Sequence, residues 1–263
     1  MGYEKVVLLG WSGGGPLGRF YQSQAERPTV TQTPAGDPID LKTAKLLPAG
    51  ALIFQAANMS RATLLGDWLD PSVLDEQHPD RRDRAFDIYD PKNPNQPPYS
   101  DDFIAAYRSA QETRMHRRTA WVKETLDALR KRGGKELERG FVTHRTMADL
   151  RFMDPAVDPK DRRPRWCHLG DPESANSGPA GLGRYLTLQA WLSQWSPDDS
   201  NVDGPRGASA ITVPLLVVEN TADEACPPLD PKAIFEAAAS TDKTYAAIKG
   251  ATHYFQGQPE QLQ

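Results

Sequence analysis

Cysteine is scarce: Cys167 and Cys226 are the two in 263 residues. That excludes a disulfide framework and a cysteine-based zinc site, and leaves room for one bridge at most. No apolar stretch approaches the roughly 20 residues a membrane-spanning helix needs, so no membrane span is expected. The opening "MGYEKVVLLGW" holds an apolar run of six and no cleavage signature. No secretory leader is therefore read, and the expected location is cytoplasmic. Positive charge is not in excess either, with 31 Lys and Arg against 35 Asp and Glu. A net charge of −4 supplies no field for a nucleic acid backbone. The basic clusters Arg81, Arg82, Arg84 and Arg130, Lys131, Arg132 stand among acids and read as solvated faces. His78, His116, His144 and His168 show no metal-ligand spacing, so neither metal nor cofactor is expected. No oligomeric state follows from the sequence.

What is present suits a soluble globular protein rich in surface and loops: 38% hydrophobic residues, 25% charged and 23 prolines. The length fits one α/β domain with a large insertion, or two small domains. "KVVLL" at 5–9 is a short aliphatic run bounded by glycine and reads as a buried parallel strand. "PLGRFYQSQAE" after it reads as a helix with Pro16 in its first turn. Further strands are read at "ALIFQAA" 51–57, "VPLLVVEN" 213–220 and "KTYAAIKG" 243–250, with a helix at 231–240. Strand alternating with helix argues a parallel sheet with crossovers.

About 150 residues of different character separate the second and third strands. A helical pattern begins at Ser100, a candidate N-cap followed by Asp101 and Asp102. Phe103, Tyr107, Met115, Val122, Leu126 and Leu129 share one face, and Gly133-Gly134 ends the pattern. A helix this long, about 45 Å, is expected to break or to pack across the mouth of the core. "GLGRYLTLQAWLSQWS" at 181–196 reads as an apolar helix. The block is too long for a structureless loop and reads as a cap. The expected organisation is core at 1–57, cap at 58–210 and core at 211–263.

"LLGWSGGGPLG" at 8–18 supports three readings. Gly10-Trp11-Ser12-Gly13-Gly14 fits G-x-S-x-G, in which a sharp strand-to-helix turn exposes the serine Oγ. Residues two before and two after the serine come too close for side chains. The N–H of Gly13 then faces a developing oxyanion. Gly13 to Gly18 also fits G-x-G-x-x-G, with Asp37 about 20 residues on. Against a dinucleotide, Asp37 ends no clear strand and Pro16 crowds the turn. The third reading is a plain connecting turn. Distant residues favour the first. Asp223 follows the third strand and His253 the fourth, giving the chain order Ser, Asp, His with all three at carboxyl ends of strands. Glu219 is an alternative acid, though it still lies within the strand.

In "VVLLGWSGGG", "VPLLVVENTADEACPP" and "IKGATHYF", about 110 residues with the intervening helices, the chain resembles the α/β-hydrolase superfamily. The resemblance implies a partial α/β-hydrolase fold: a parallel central sheet with a large, mainly helical cap. It implies Ser12 as nucleophile, His253 as base, Asp223 as its orienting acid and Gly13 in the oxyanion hole. Asn220 stands where that family often has glycine. The family's elbow follows its fifth strand; here it follows the first, and the chain stops ten residues after His253. The resemblance therefore implies a piece lacking the N-terminal strands, the second oxyanion donor and the C-terminal end. The expected activity is a cofactor-free serine hydrolase acting on a carboxylic ester or related acyl substrate through an acyl-enzyme. Peptidases, thioesterases, lactonases and C–C hydrolases share the resemblance; haloalkane dehalogenases need a carboxylate at position 12. The expected partner is a small molecule with an apolar portion, bound in part by tryptophans among Trp68, Trp121, Trp166, Trp191 and Trp195. The alternative is an impaired hydrolase-fold piece that binds a small ligand without turnover.

Overall fold

The computed structural model describes residues 4–202, 204–226 and 229–262. Residues 1–3 of the opening stretch and 227–228 of the segment after Asp223 lie outside the described residues. In chain order come β1 (Val7–Trp11), α1 (Gly14–Glu26), β2 (Ala51–Gln55), α2 (Arg61–Trp68) and α3 (Asp101–Arg132). Next are β3 (Gly140–Val142), α4 (Leu150–Met153), α5 (Pro172–Ser177), β4 (Tyr185–Thr187) and α6 (Leu188–Gln194). The last are α7 (Gly204–Ser209), β5 (Leu215–Asn220), α8 (Leu229–Ala237) and β6 (Lys243–Ile248). Two compact units result, Met1–Arg61 with Asn201–Gln263, and Ala62–Ser200.

The first unit is an α/β layer. Its sheet has the order β1-β2-β5-β6 with every pair parallel. Leu9 lies opposite Ile53, Ile53 opposite Leu216, and Leu216 opposite Thr244. Parallel pairing requires a crossover between strands. α1 makes the first, α8 the last, and the whole second unit is inserted between β2 and β5. Leu52 and Phe54 of β2 alternate with Leu215 and Val217 of β5 in a core completed by Ile211 and by Ile234 of α8. Because all four strands run the same way, the residues following each gather at one edge. That edge is where open α/β sheets carry their chemistry. β1 corrects the sequence expectation. It is parallel but not buried: Val7 and Leu9 are 54% and 62% exposed, because the strand is the sheet's edge and has one neighbour. An aliphatic run by itself does not distinguish an edge strand from a central one.

The second unit is the large, mainly helical insertion. α3 runs unbroken for 32 residues, which removes the break, one of the two alternatives expected for it. No glycine or proline interrupts it. The Ser100 hydroxyl accepts the Phe103 N–H at its start, and Gly133 ends it at φ 70°. The apolar face read from the sequence is buried, together with Gln111, Arg114, Arg118 and Thr119. The segment at 181–196 is only half helical. Gly183 takes φ 67°, Tyr185–Thr187 pairs antiparallel with β3, and Thr187 then caps α6 by accepting the Ala190 N–H. Of the five tryptophans read as cap residues, Trp68, Trp191 and Trp195 are buried. Among the described residues no helix is long and apolar enough to cross a membrane.

Ion pairs tie this unit together. Asp149, buried, accepts from Arg108 Nη2 at 2.9 Å and from Arg151 Nε at 2.9 Å. Burial alone would raise its pKa. The two guanidinium groups outweigh that and hold the carboxyl well below the usual carboxylate range. A depressed folded-state pKa contributes stability above the unfolded pKa of about 3.9, and the contribution fades as pH falls through the folded value. Asp149→Asn, which removes the buried carboxylate and leaves Arg108 and Arg151 to share Asp67, is expected to lose about 3 kcal/mol at pH 7. The gap to the native chain should narrow below about pH 4 in urea unfolding. A gap that does not change with pH would refute this assignment.

Candidate active site

The turn after β1 is set by backbone packing. Ser12 takes φ 55°, a left-handed conformation that costs a non-glycine residue about 1–3 kcal/mol. Its N–H donates to the Gln55 carbonyl at 3.2 Å, and its own carbonyl accepts the Gly15 N–H at 3.0 Å. A Cβ on Gly10 would stand 2.7 Å from the Gly14 carbonyl oxygen, so strand and helix approach too closely for any side chain there. The second crowded position corrects the sequence reading. A Cβ on Gly14 meets nothing within 4 Å, whereas one on Gly15 would stand 2.3 Å from Ala57 Cβ. The crowding comes from the loop after β2, which the sequence motif does not contain.

Two other loops meet this turn. Asp223 follows β5, and its Oδ1 accepts the N–H groups of Ala225 and Cys226, both at 2.7 Å. His253 follows β6. The Asn220 amide donates to the Thr252 carbonyl at 2.9 Å and the Gly250 N–H donates to Thr221 Oγ1 at 2.8 Å, which fixes one loop against the other. His253 Nδ1 lies 2.9 and 3.1 Å from the two Asp223 oxygens, and Nε2 lies 3.1 Å from Ser12 Oγ. The carboxylate assigns the ring proton to Nδ1 and leaves Nε2 to accept the serine O–H. Asp223 and His253 are each 1% exposed, so the relay is shielded from water. Three of the sequence-read side chains thus lie in one hydrogen-bonded line, and Gly13 takes helical angles (φ −63°) at the head of α1. Glu219, the alternative acid, instead accepts the Tyr245 hydroxyl. Asp37 turns back on its own loop, where its N–H donates to Thr33 Oγ1 at 3.0 Å.

Several neighbours were not legible as site residues in the sequence. Trp11 stacks on His253 with ring centroids 4.6 Å apart, and Tyr254 stands edge-on to the same ring at 4.9 Å. Cys226 is a free, buried thiol with Sγ 3.8 Å from Ser12 Oγ and 3.8 Å from Asn58 Nδ2. With Nε2 accepting from Ser12, the thiol is placed to donate weakly to the serine oxygen. Burial first, and then Asp223, push the Cys226 pKa well up, so the group is a neutral S–H. Ligand atoms of Asp223, Cys226 and His253 all lie within 4.8 Å of one another. A metal would need the thiolate that this environment disfavours, and would displace the Asp223–His253 hydrogen bond. Cys167 is likewise buried and in no disulfide, so the single bridge allowed by the sequence is not formed.

No family model matches the chain, and no curated protein matches it. Solved structures give distant likenesses. A monoacylglycerol lipase of Paleococcus ferrophilus is 16% identical, with 98% of this chain and 63% of that one covered and a TM-score of 0.40. The structure of DcsB in complex with its substrate analogue is 15% identical, covering 95% and 57%, with a TM-score of 0.41. A bromoperoxidase of Bacillus anthracis is 15% identical, covering 98% and 64%, with a TM-score of 0.32. The chain thus spans 57–64% of the length of these proteins. At such identities and scores the likeness decides nothing about chemistry.

The geometry of the turn makes a direct prediction. Gly15→Ala is expected to lose about 1–3 kcal/mol by overpacking against Ala57. Gly14→Ala, in open space within the first helical turn, should be neutral or gain up to about 1 kcal/mol. Urea midpoints of the two variants check the pair, and equal losses would mean that the turn is not held as described.

Proposed function

We propose that the chain is a serine hydrolase of the α/β-hydrolase type, acting on a carboxylic ester or a related acyl substrate. The observation that carries this reading is the relay: Ser12 Oγ to His253 Nε2 at 3.1 Å, and His253 Nδ1 to Asp223 at 2.9 Å. A plain connecting turn has no reason to bring a serine hydroxyl against a buried imidazole that a carboxylate orients. The formal charge of −4 and the exposed Trp11 and Tyr254 beside the relay fit a small molecule with an apolar portion, which would pack on those two rings.

Each residue has a role in that reaction. Ser12 Oγ attacks the acyl carbon while its proton passes to His253 Nε2. Asp223 accepts from Nδ1 and stabilises the imidazolium that forms. The two backbone N–H groups on Asp223 Oδ1 keep the carboxylate aimed. The carbonyl oxygen becomes an oxyanion, and the Gly13 N–H donates to it. When the intermediate collapses, the alcohol leaves with the proton from Nε2 and the acyl group stays on Ser12. Water then attacks the acyl-enzyme, giving its proton to Nε2, and the acid departs as Ser12 Oγ recovers that proton. No cofactor enters any step. Buried Cys226, neutral and 3.8 Å from the serine oxygen, takes no part in the proton transfer.

Hydrolysis of a panel of short 4-nitrophenyl esters tests the proposal. Ser12→Ala and His253→Ala are each expected to lower kcat by about 10³-fold or more, and the double variant should fall little further, because the two act as a unit. Asp223→Asn should also cost about 10³–10⁴-fold by reversing the imidazole tautomer. Additive losses, or a Ser12→Ala chain as active as the native one, would contradict the reading.

A further inference from the structure

Gly13 raises a separate question. Its φ of −63° and ψ of −12° are ordinary helical angles that any residue adopts. No backbone crowds it. What a Cβ there would meet is the guanidinium of Arg61, with Nε at 3.3 Å, a terminal nitrogen at 3.4 Å and the central carbon at 3.8 Å. Glycine at position 13 therefore leaves the space that a cation fills. Arg61 opens α2, after the loop that follows β2, and so stands at the same sheet edge as Ser12. The side chain is partly buried. Desolvation lowers its pKa from the usual guanidinium value. Such a group stays charged in proteins, so a permanent cation stands beside the peptide that follows Ser12.

We infer that Arg61 is a specificity residue that anchors a carboxylate carried by the acyl group, close to the carbonyl attacked at Ser12. The inference rests on the serine-hydrolase reading and names its substrate class: half-esters of short dicarboxylic acids. A planar guanidinium meets a carboxylate through two parallel N–H donors, which fixes distance and orientation together. The guanidinium lies against the residue that follows the serine. A carboxylate held by it can therefore be separated from the reacting carbonyl by only a few bonds. A partly buried cation also attracts an anion more strongly than one in open water. The anchor acts on the bound substrate before any charge develops on the carbonyl oxygen. Its effect is thus expected on the affinity for charged substrates, and it need not supply the oxyanion donor.

The test uses the full chain and two independent readouts. Isothermal titration with malonate needs no turnover. Malonate is expected to bind the native chain and the Ser12→Ala chain, and to bind Arg61→Gln about tenfold or more weakly. Arg61→Lys, a point charge without the fork, should fall between. Gly13→Ala keeps the charge but pushes a methyl against the guanidinium, and should weaken malonate as well. In the second readout, the ratio of kcat/KM for monoethyl succinate to that for ethyl butyrate should drop about tenfold in Arg61→Gln, mainly through KM. Absence of malonate binding to the native chain, or equal binding by native and Arg61→Gln chains, overturns the inference. So does a parallel loss on both esters with the ratio unmoved, which would put the guanidinium on the oxyanion. A chain that binds malonate through Arg61 but cleaves no ester would sink the hydrolase reading alone.

Discussion

The close approach of β1, α1 and the loop after β2 is the constraint on which the site depends. Gly10 lies against the Gly14 carbonyl and Gly15 against Ala57, so the chain has no room to turn in any wider arc. Ser12 is driven to φ 55° as a result, and its hydroxyl is set 3.1 Å from the imidazole. The strain of that conformation is small beside the packing that imposes it. Parallel pairing supplies the rest. Because β1, β2, β5 and β6 all run the same way, the loops bearing Ser12, Asn58, Asp223 and His253 end at one edge.

A succession of polar contacts then gathers at this edge: Asn58 amide, Cys226 thiol, Ser12 hydroxyl, His253 imidazole and Asp223 carboxylate. Its two ends differ in kind. From Ser12 to Asp223 the contacts are short and directional. From Ser12 to Asn58 they run through sulfur at 3.8 Å and are weak. Polarisation therefore falls mainly on the imidazole side, as the proposed proton transfer from serine to ring requires. Trp11 closes over one face of the ring, which limits its rotation and keeps Nε2 on the serine.

Much of this was legible in the sequence, and the failures have physical causes. The strands at 51–57, 213–220 and 243–250 were readable because parallel strands are aliphatic runs between turns, and α3 because its caps and apolar spacing agree. The exposure of β1 is not legible in "KVVLL" itself, since the run looks the same at an edge as in the centre. The 181–196 segment was misread because Thr187 starts the helix halfway along an apolar stretch. At the site, Ser12, Asp223 and His253 could be singled out by order and by flanking strands. Arg61, Asn58 and Trp11 could not. An arginine or an asparagine after a strand is common, and only folding shows that Gly13 has room for a guanidinium or that Ala57 presses on Gly15. The misplacement of the crowded glycine has the same origin: the pressure comes from a residue 42 positions away along the chain.

The central claim is that Ser12 is an activated nucleophile. Incubation of the chain with a fluorophosphonate, followed by peptide mass spectrometry, tests it without any knowledge of the substrate. One adduct is expected, on Ser12, formed by the native chain and lost both in His253→Ala and after unfolding. A well-folded chain that gives no adduct, or whose labelling is indifferent to His253, would contradict it.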